Sequence, residues 1–168
     1  MLTDISGPMY TLVSETTVPS WGDWETLRAA LWALPAFDAW FKEFQLIVQS
    51  GRREFYKVEG EYAGWSRPGV VIVREAYRAL KWQIRPTVAL LQRYGALLAD
   101  CGVGRNPRIL TDMSGEMFRA IIEIETDGLS EWEARRRGMF RQPEFQVWFV
   151  QLCNHVEAGQ HEIYRVEV

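Results

Sequence analysis

Residues 109–125 read ILTDMSGEMFRAIIEIE, and residues 1–17 read MLTDISGPMYTLVSETT. Sliding the chain against itself by 108 positions places these two stretches in register and extends the match, without a gap, over residues 1–60 and 109–168. Identical pairs run through the whole block, among them Thr3/Thr111, Asp4/Asp112, Ser6/Ser114, Gly7/Gly115, Glu15/Glu123, Trp24/Trp132, Arg28/Arg136, Pro35/Pro143, Phe37/Phe145, Trp40/Trp148, Gly51/Gly159, Glu54/Glu162, Tyr56/Tyr164 and Val58/Val166. An internal repeat of this density decides the architecture before any single element is assigned.

Each copy predicts the same order. A short strand (Leu2–Ile5 or Ile109–Met113) meets a Ser-Gly turn and returns as a second strand (Met9–Thr17 or Met117–Glu125), the chemistry of a hairpin. Asp4 and Asp112 precede the turn, where a carboxylate can accept from turn amides, so both are assigned to structure. Ser20 and Ser130 are the expected N-caps of a first helix. Pro35 and Pro143 restart a second, because proline suits a first helical turn and interrupts an interior. That second helix carries Phe37, Trp40, Phe41, Phe44 and Val48, or Phe145, Trp148, Phe149, Leu152 and Val156, as one apolar stripe. Gly51 and Gly159 are expected to end it, before a last strand at Glu54–Glu59 or Glu162–Glu167.

The unrepeated middle supplies the rest of a unit. Val70–Tyr77 opens with four aliphatic residues, as a central strand covered on both faces does, and a helix follows from about Pro86 to Ala99, stopped by Gly102 or Gly104. From residue 61 onward the order is therefore βαββαβ, one complete ferredoxin-like unit. Residues 1–60 form a partial ββαβ unit that lacks its initial strand and helix. Either the natural chain begins upstream, or this block completes its sheet from the second unit or from a partner.

Composition bounds the function. The 168 residues are 48% hydrophobic with a formal charge of −3, which suits a folded chain and gives no footprint for nucleic acid. No apolar run reaches the length of a membrane span and the N-terminus has no signal-peptide pattern, so a cytoplasmic protein is expected. Cys101 and Cys153 stand apart, without metal-ligand spacing, and are expected as reduced thiols. No motif specifies a nucleotide, metal or flavin, and no cofactor is expected.

The stretches Ile72–Tyr77 (IVREAY), Arg108–Gly115 (RILTDMSG), Glu131–Glu133 (EWE) and Arg141–Phe145 (RQPEF) resemble the dimeric α+β barrel superfamily, and most closely its NIPSNAP-like branch. The resemblance implies antiparallel ferredoxin-like sheets packed as an α+β barrel with helices outside. It implies no one activity, since that superfamily includes cofactor-free monooxygenases, haem-handling enzymes and proteins without established chemistry.

Candidate site residues come from the strands. Glu123 repeats Glu15, and a carboxylate inside a barrel must be paired; Arg74 and Arg119 are its candidate partners, with Tyr77 and Tyr164 as hydrogen-bonding neighbours. His155 and His161 are the only histidines, and neither is repeated. Trp24, Trp40, Trp132 and Trp148 are expected in the core, and Trp21, Trp65 and Trp82 at element edges. Two functions follow as expectations. One is binding of a small apolar or aromatic ligand, or self-assembly as a homodimer or higher oligomer. The other is a cofactor-independent monooxygenase or haem-handling enzyme, in which Arg74, Tyr77, Glu123 or His161 orients an aromatic substrate in the space between the sheets. Arg74, Tyr77, Glu123, His161 and Tyr164 are the candidate ligand-binding residues, and no catalytic residue is assigned. A filled interior favours assembly; an open cavity favours the enzyme.

Overall fold

A computed structural model describes residues 1–7, 9–62 and 64–168. Its elements are β1 (Leu2–Ser6), β2 (Leu12–Val13), α1 (Trp21–Trp32), α2 (Pro35–Ile47), β3 (Tyr56–Val58), β4 (Val71–Ala79), α3 (Ile84–Asp100), β5 (Arg105–Asp112), β6 (Arg119–Thr126), α4 (Leu129–Met139), α5 (Pro143–Cys153) and β7 (Val156–Val166). The chain forms two compact units, one of residues 1–14 and 54–168 and the other of residues 15–53. The end of the repeat at residue 60 is thus not where the compact units divide.

The larger unit is built on one curled antiparallel sheet in the order β2-β1-β7-β4-β6-β5-β3. Its middle, β7-β4-β6-β5 with α3 crossing between β4 and β5, is the ferredoxin-like arrangement. β4 pairs along its length with both β6 and β7, which explains its opening run of aliphatic residues. The strands of the first copy then extend the sheet at both edges, so the two sheets expected from the resemblance are here one continuous sheet. The two extensions share a register: β1 meets β7 with Leu2 opposite Val166 and Asp4 opposite Tyr164, and β5 meets β3 with Leu110 opposite Val58 and Asp112 opposite Tyr56. Each pair converts into the other by the repeat offset. The turn chemistry also agrees, since the Asp4 carboxylate accepts from Thr11 N at 2.7 Å and that of Asp112 from Arg119 N at 2.9 Å.

Strand alternation gives the sheet two distinct faces. Val73, Ala120, Ile122 and Ile124 meet Val88, Leu91, Tyr94 and Leu98 of α3, with Phe145, Trp148 and Leu152 of α5 in the same core. The opposite, inner face carries Leu2, Val70, Ile72, Tyr164 and Val166 toward one edge and Ala76, Leu110 and Ile121 toward the other. Gly102, at φ +62°, accepts the left-handed conformation that follows the end of α3, as expected.

Several boundaries differ from the sequence reading. α4 starts at Leu129 with Gly128 as its N-cap, not Ser130, whereas Ser20 does cap α1 by accepting from Asp23 N. α2 ends at Ile47 and α5 at Cys153, before either expected glycine. Gly159 instead lies within β7 opposite Tyr77, where an added Cβ would stand 2.9 Å from the ring Cδ1. Gly159→Ala is accordingly expected to destabilise the fold by about 1–3 kcal/mol through overpacking, measurable by urea unfolding. The strand expected over Met9–Thr17 shrinks to Leu12–Val13 at the sheet edge.

The smaller unit contains α1 and α2. Pro35 opens α2 as expected. Neither helix buries a residue, and Trp40, expected in the core, is exposed. Among the described residues no helix is long and apolar enough to cross a membrane.

Candidate functional site

Three strands bring charge to the centre of the inner face. Glu123 on β6 is fully buried, and its two carboxylate oxygens are taken by two arginines. Arg74 of β4 donates from Nε at 2.6 Å and Nη2 at 2.5 Å to one oxygen; Arg108 of β5 donates from Nε at 2.6 Å and Nη2 at 2.5 Å to the other. The registers Arg74↔Glu123 and Arg108↔Glu123 explain the meeting, because cross-strand partners project to the same face. Arg74 also faces Glu162 of β7 at 3.7 Å and lies over the Tyr164 ring at 5.0 Å. The Tyr164 hydroxyl donates to Glu162 at 2.7 Å, and burial, reinforced by that carboxylate, pushes the phenol up to about 12. The repeat reproduces this pair at the entry to β3, where the Tyr56 hydroxyl donates to Glu54 at 2.7 Å. Arg119 then approaches the same two groups, at 3.4 Å from Glu54.

The segment before β4 occupies the space over these charges. The Arg108 guanidinium lies 4.5 Å from the Tyr62 ring centroid and 4.3 Å from that of Trp65, a cation–π arrangement on a desolvated arginine. Trp65 also packs against the Leu2–Ile72–Tyr164 cluster. Ser66 donates from its backbone N and its hydroxyl, each at 2.6 Å, to the fully buried Glu125.

A second polar group lies on the helix face. Glu75, buried, accepts from the hydroxyls of Tyr77 and Tyr94, at 2.5 and 3.2 Å, and stands 3.3 Å from His161 Nε2. Burial drives the Glu75 carboxyl upward, yet the hydrogen bonds from His161 and Tyr77 outweigh it and hold the group below the ordinary carboxylate value. Burial and Glu75 both raise the Tyr77 and Tyr94 phenols. A folded-state value below the unfolded one stabilises above the unfolded value, and that contribution is lost as pH falls through the folded value. Glu75→Gln should therefore flatten the loss of stability as pH falls below about 4.5, read from urea midpoints at about pH 5 and about pH 3.

Of the residues singled out in the sequence, Arg74, Glu123 and Tyr164 come together on the inner face, while Tyr77 and His161 lie across the sheet around Glu75. The five do not surround one space. Glu15 lies past the end of β2, in the smaller unit, so it does not repeat the structural place of Glu123. His155 sits at the end of α5 with Nδ1 2.7 Å from Gln151 O. Hollows also open on the larger unit: one of about 430 Å³ beside Glu61, Tyr62, Gly64, Asn106 and Pro107, bordering the Tyr62–Arg108 contact, and one of about 270 Å³ beside Arg85, Thr111, Asp112 and Phe118. Among the described residues no three His, Cys, Asp or Glu side chains are grouped to hold a metal. Sequence reasoning missed Arg108 as the second partner of Glu123, although the alternation Arg108, Leu110 marks its face. It also missed Tyr62 as a cover, for which an unrepeated loop gives no periodic signal.

No family model and no curated protein matches the sequence. Solved structures do match. A NIPSNAP family protein of Agrobacterium tumefaciens superposes with a TM-score of 0.51 at 17% identity, covering 56% of this chain and 90% of that one. A second NIPSNAP family protein from the same organism, of unknown function, gives 0.51 at 12% identity, covering 59% and 90%. An anthrone oxidase-like protein gives 0.51 at 16% identity, covering 60% of this chain and 45% of its own. At these identities the likeness lies in the fold alone, and the chain has the ferredoxin-like α+β fold of NIPSNAP-family structures.

Proposed function

We propose that this chain is an assembly module that binds a second copy of itself through the open β2 edge of its sheet. The observation that carries the reading is the contrast between β2 and its repeat counterpart β6. β6 runs for eight residues with β4 on one side and β5 on the other, whereas β2 has two residues and pairs with β1 alone among the described strands. Around it Met9, Tyr10 and Leu12 are exposed. An edge that presents unpaired backbone groups beside apolar side chains is a template for another strand. Two copies meeting β2 to β2 antiparallel give a closed, isologous dimer.

A small apolar or aromatic ligand, or an oxygenase or haem-handling site, would need space beside Arg74, Glu123 and Tyr164. Tyr62 and Trp65 stand over that charge cluster instead. Likeness to an anthrone oxidase-like protein does not transfer its chemistry, since one fold hosts many functions.

The register specifies the test. Asp4 N donates to Thr11 O, so Asp4 and Thr11 are a bonded pair, and alternation turns the Leu12 N–H away from β1 toward the open edge. Leu12→Pro removes that donor without touching β1, and Leu12→Lys sets a charge on the edge. Sedimentation equilibrium is expected to show a dimer for the parent chain and monomers for both variants, with unchanged circular dichroism. A monomeric parent, or dimers unaffected by both substitutions, would reject the proposal.

A further inference from the structure

The repeat assigns a partner to the smaller unit by showing what covers the same residues in the second copy. Phe145, Trp148 and Leu152 of α5 are all buried in the helix-face core. Trp148 stacks on Tyr94 of α3 with centroids 3.9 Å apart and planes 13° apart, and its indole Nε1 donates to Leu90 O at 2.8 Å. Arg93 of α3 donates to Gln151 Oε1 at 3.0 Å. The counterparts on α2 are Phe37, Trp40, Phe44 and Glu43. There the aromatic rings meet one another, Trp40 stacked on Phe44 at 5.0 Å and Phe37 edge-on to Trp32 at 5.1 Å. Trp40 is 51% exposed, against 3% for Trp148, and Leu46 and Ile47 are more exposed still.

We infer that the aromatic face of α2 is a docking surface for an amphipathic helix of α3 type, supplied by a partner polypeptide. The chemistry of that helix follows from the α3–α5 contact: an aromatic side chain to stack on Trp40, a backbone carbonyl one turn earlier to accept its indole N–H, and an arginine beside the aromatic. Charge complementarity is stronger here than in the template. Where α5 offers the neutral Gln151 to Arg93, α2 offers the carboxylate of Glu43, so the pair becomes charge-assisted. This is helix-in-groove recognition, with a core element of the same chain showing what the groove takes. The inference does not depend on the pairing proposed for β2.

The probe is a synthetic peptide of residues 83–102, side-chain-stapled because a free helix of this length is marginal in water. Calorimetric titration into the full chain is expected to give one peptide per chain. Trp40→Ala should weaken binding at least about tenfold, as loss of a stacked anchor does. Glu43→Lys should also weaken it, and a peptide carrying Arg93→Glu should restore it. The Leu12→Pro chain should bind as the parent does, which separates this result from the fate of the edge pairing. Absence of binding, or binding indifferent to both Trp40→Ala and Glu43→Lys, would overturn the inference. A dimer of the parent chain dissociated by Trp40→Ala, with no peptide bound, would overturn it in favour of a second copy on this face.

Discussion

Glu123→Ala will lower the unfolding free energy by about 3–5 kcal/mol, the range for removing one partner from a buried charge pair. Both carboxylate oxygens of Glu123 are occupied, and the substitution leaves the largely buried guanidinium groups of Arg74 and Arg108 without the carboxylate between them. Arg74 keeps the longer approach to Glu162 and the face of Tyr164, and Arg108 keeps the faces of Tyr62 and Trp65. The cost thus comes from stranded charge more than from lost attraction. Replacing all three with apolar residues of similar volume, Arg74→Met, Arg108→Met and Glu123→Leu, should recover most of it, because a well-packed apolar group avoids the desolvation that the ions carry. Urea unfolding of the single and triple variants checks both statements.

Trp148→Ala should cost about 3–5 kcal/mol, as large-to-small changes in a core do, whereas Trp40→Ala should stay within about 0.5 kcal/mol, as exposed substitutions do. The two tryptophans occupy one position of the repeat, and only their surroundings differ. Trp148 loses its stacking on Tyr94, its bond to Leu90 O and its contact with Phe145. Trp40 loses ring contacts within its own exposed cluster. Paired denaturant curves measure the contrast directly.

These two residues also show where sequence legibility ended. The repeat, the hairpins, the proline-started helices and the aliphatic run of β4 were all readable, because each rests on local turn chemistry or on periodicity. Trp40 was misplaced in the core for a reason outside its own segment: burial of that helix stripe depends on a neighbour of α3 type, and the partial unit carries none. β2, paired with β1 alone among the described strands, is also shorter than β6, which is paired on both sides. Pairing of Arg74 with Glu123 was anticipated from residue type, but alternation alone could not say that Tyr77 and His161 point away from them. That choice is made by α3, whose apolar side settles on Val73 and so fixes which face is inner. Gly159 was read as a helix stop because glycine serves there often; its neighbour across the strands, the Tyr77 ring, belongs to a distant part of the sequence.

Amide hydrogen exchange of Leu12, followed at protein concentrations above and below the dimer dissociation constant, tests the assembly claim most directly. The account predicts slow exchange at the higher concentration and fast exchange at the lower, with the amides of β4 protected in both. A Leu12 amide that exchanges fast in a chain shown to be dimeric would contradict it, and would place the contact between copies elsewhere.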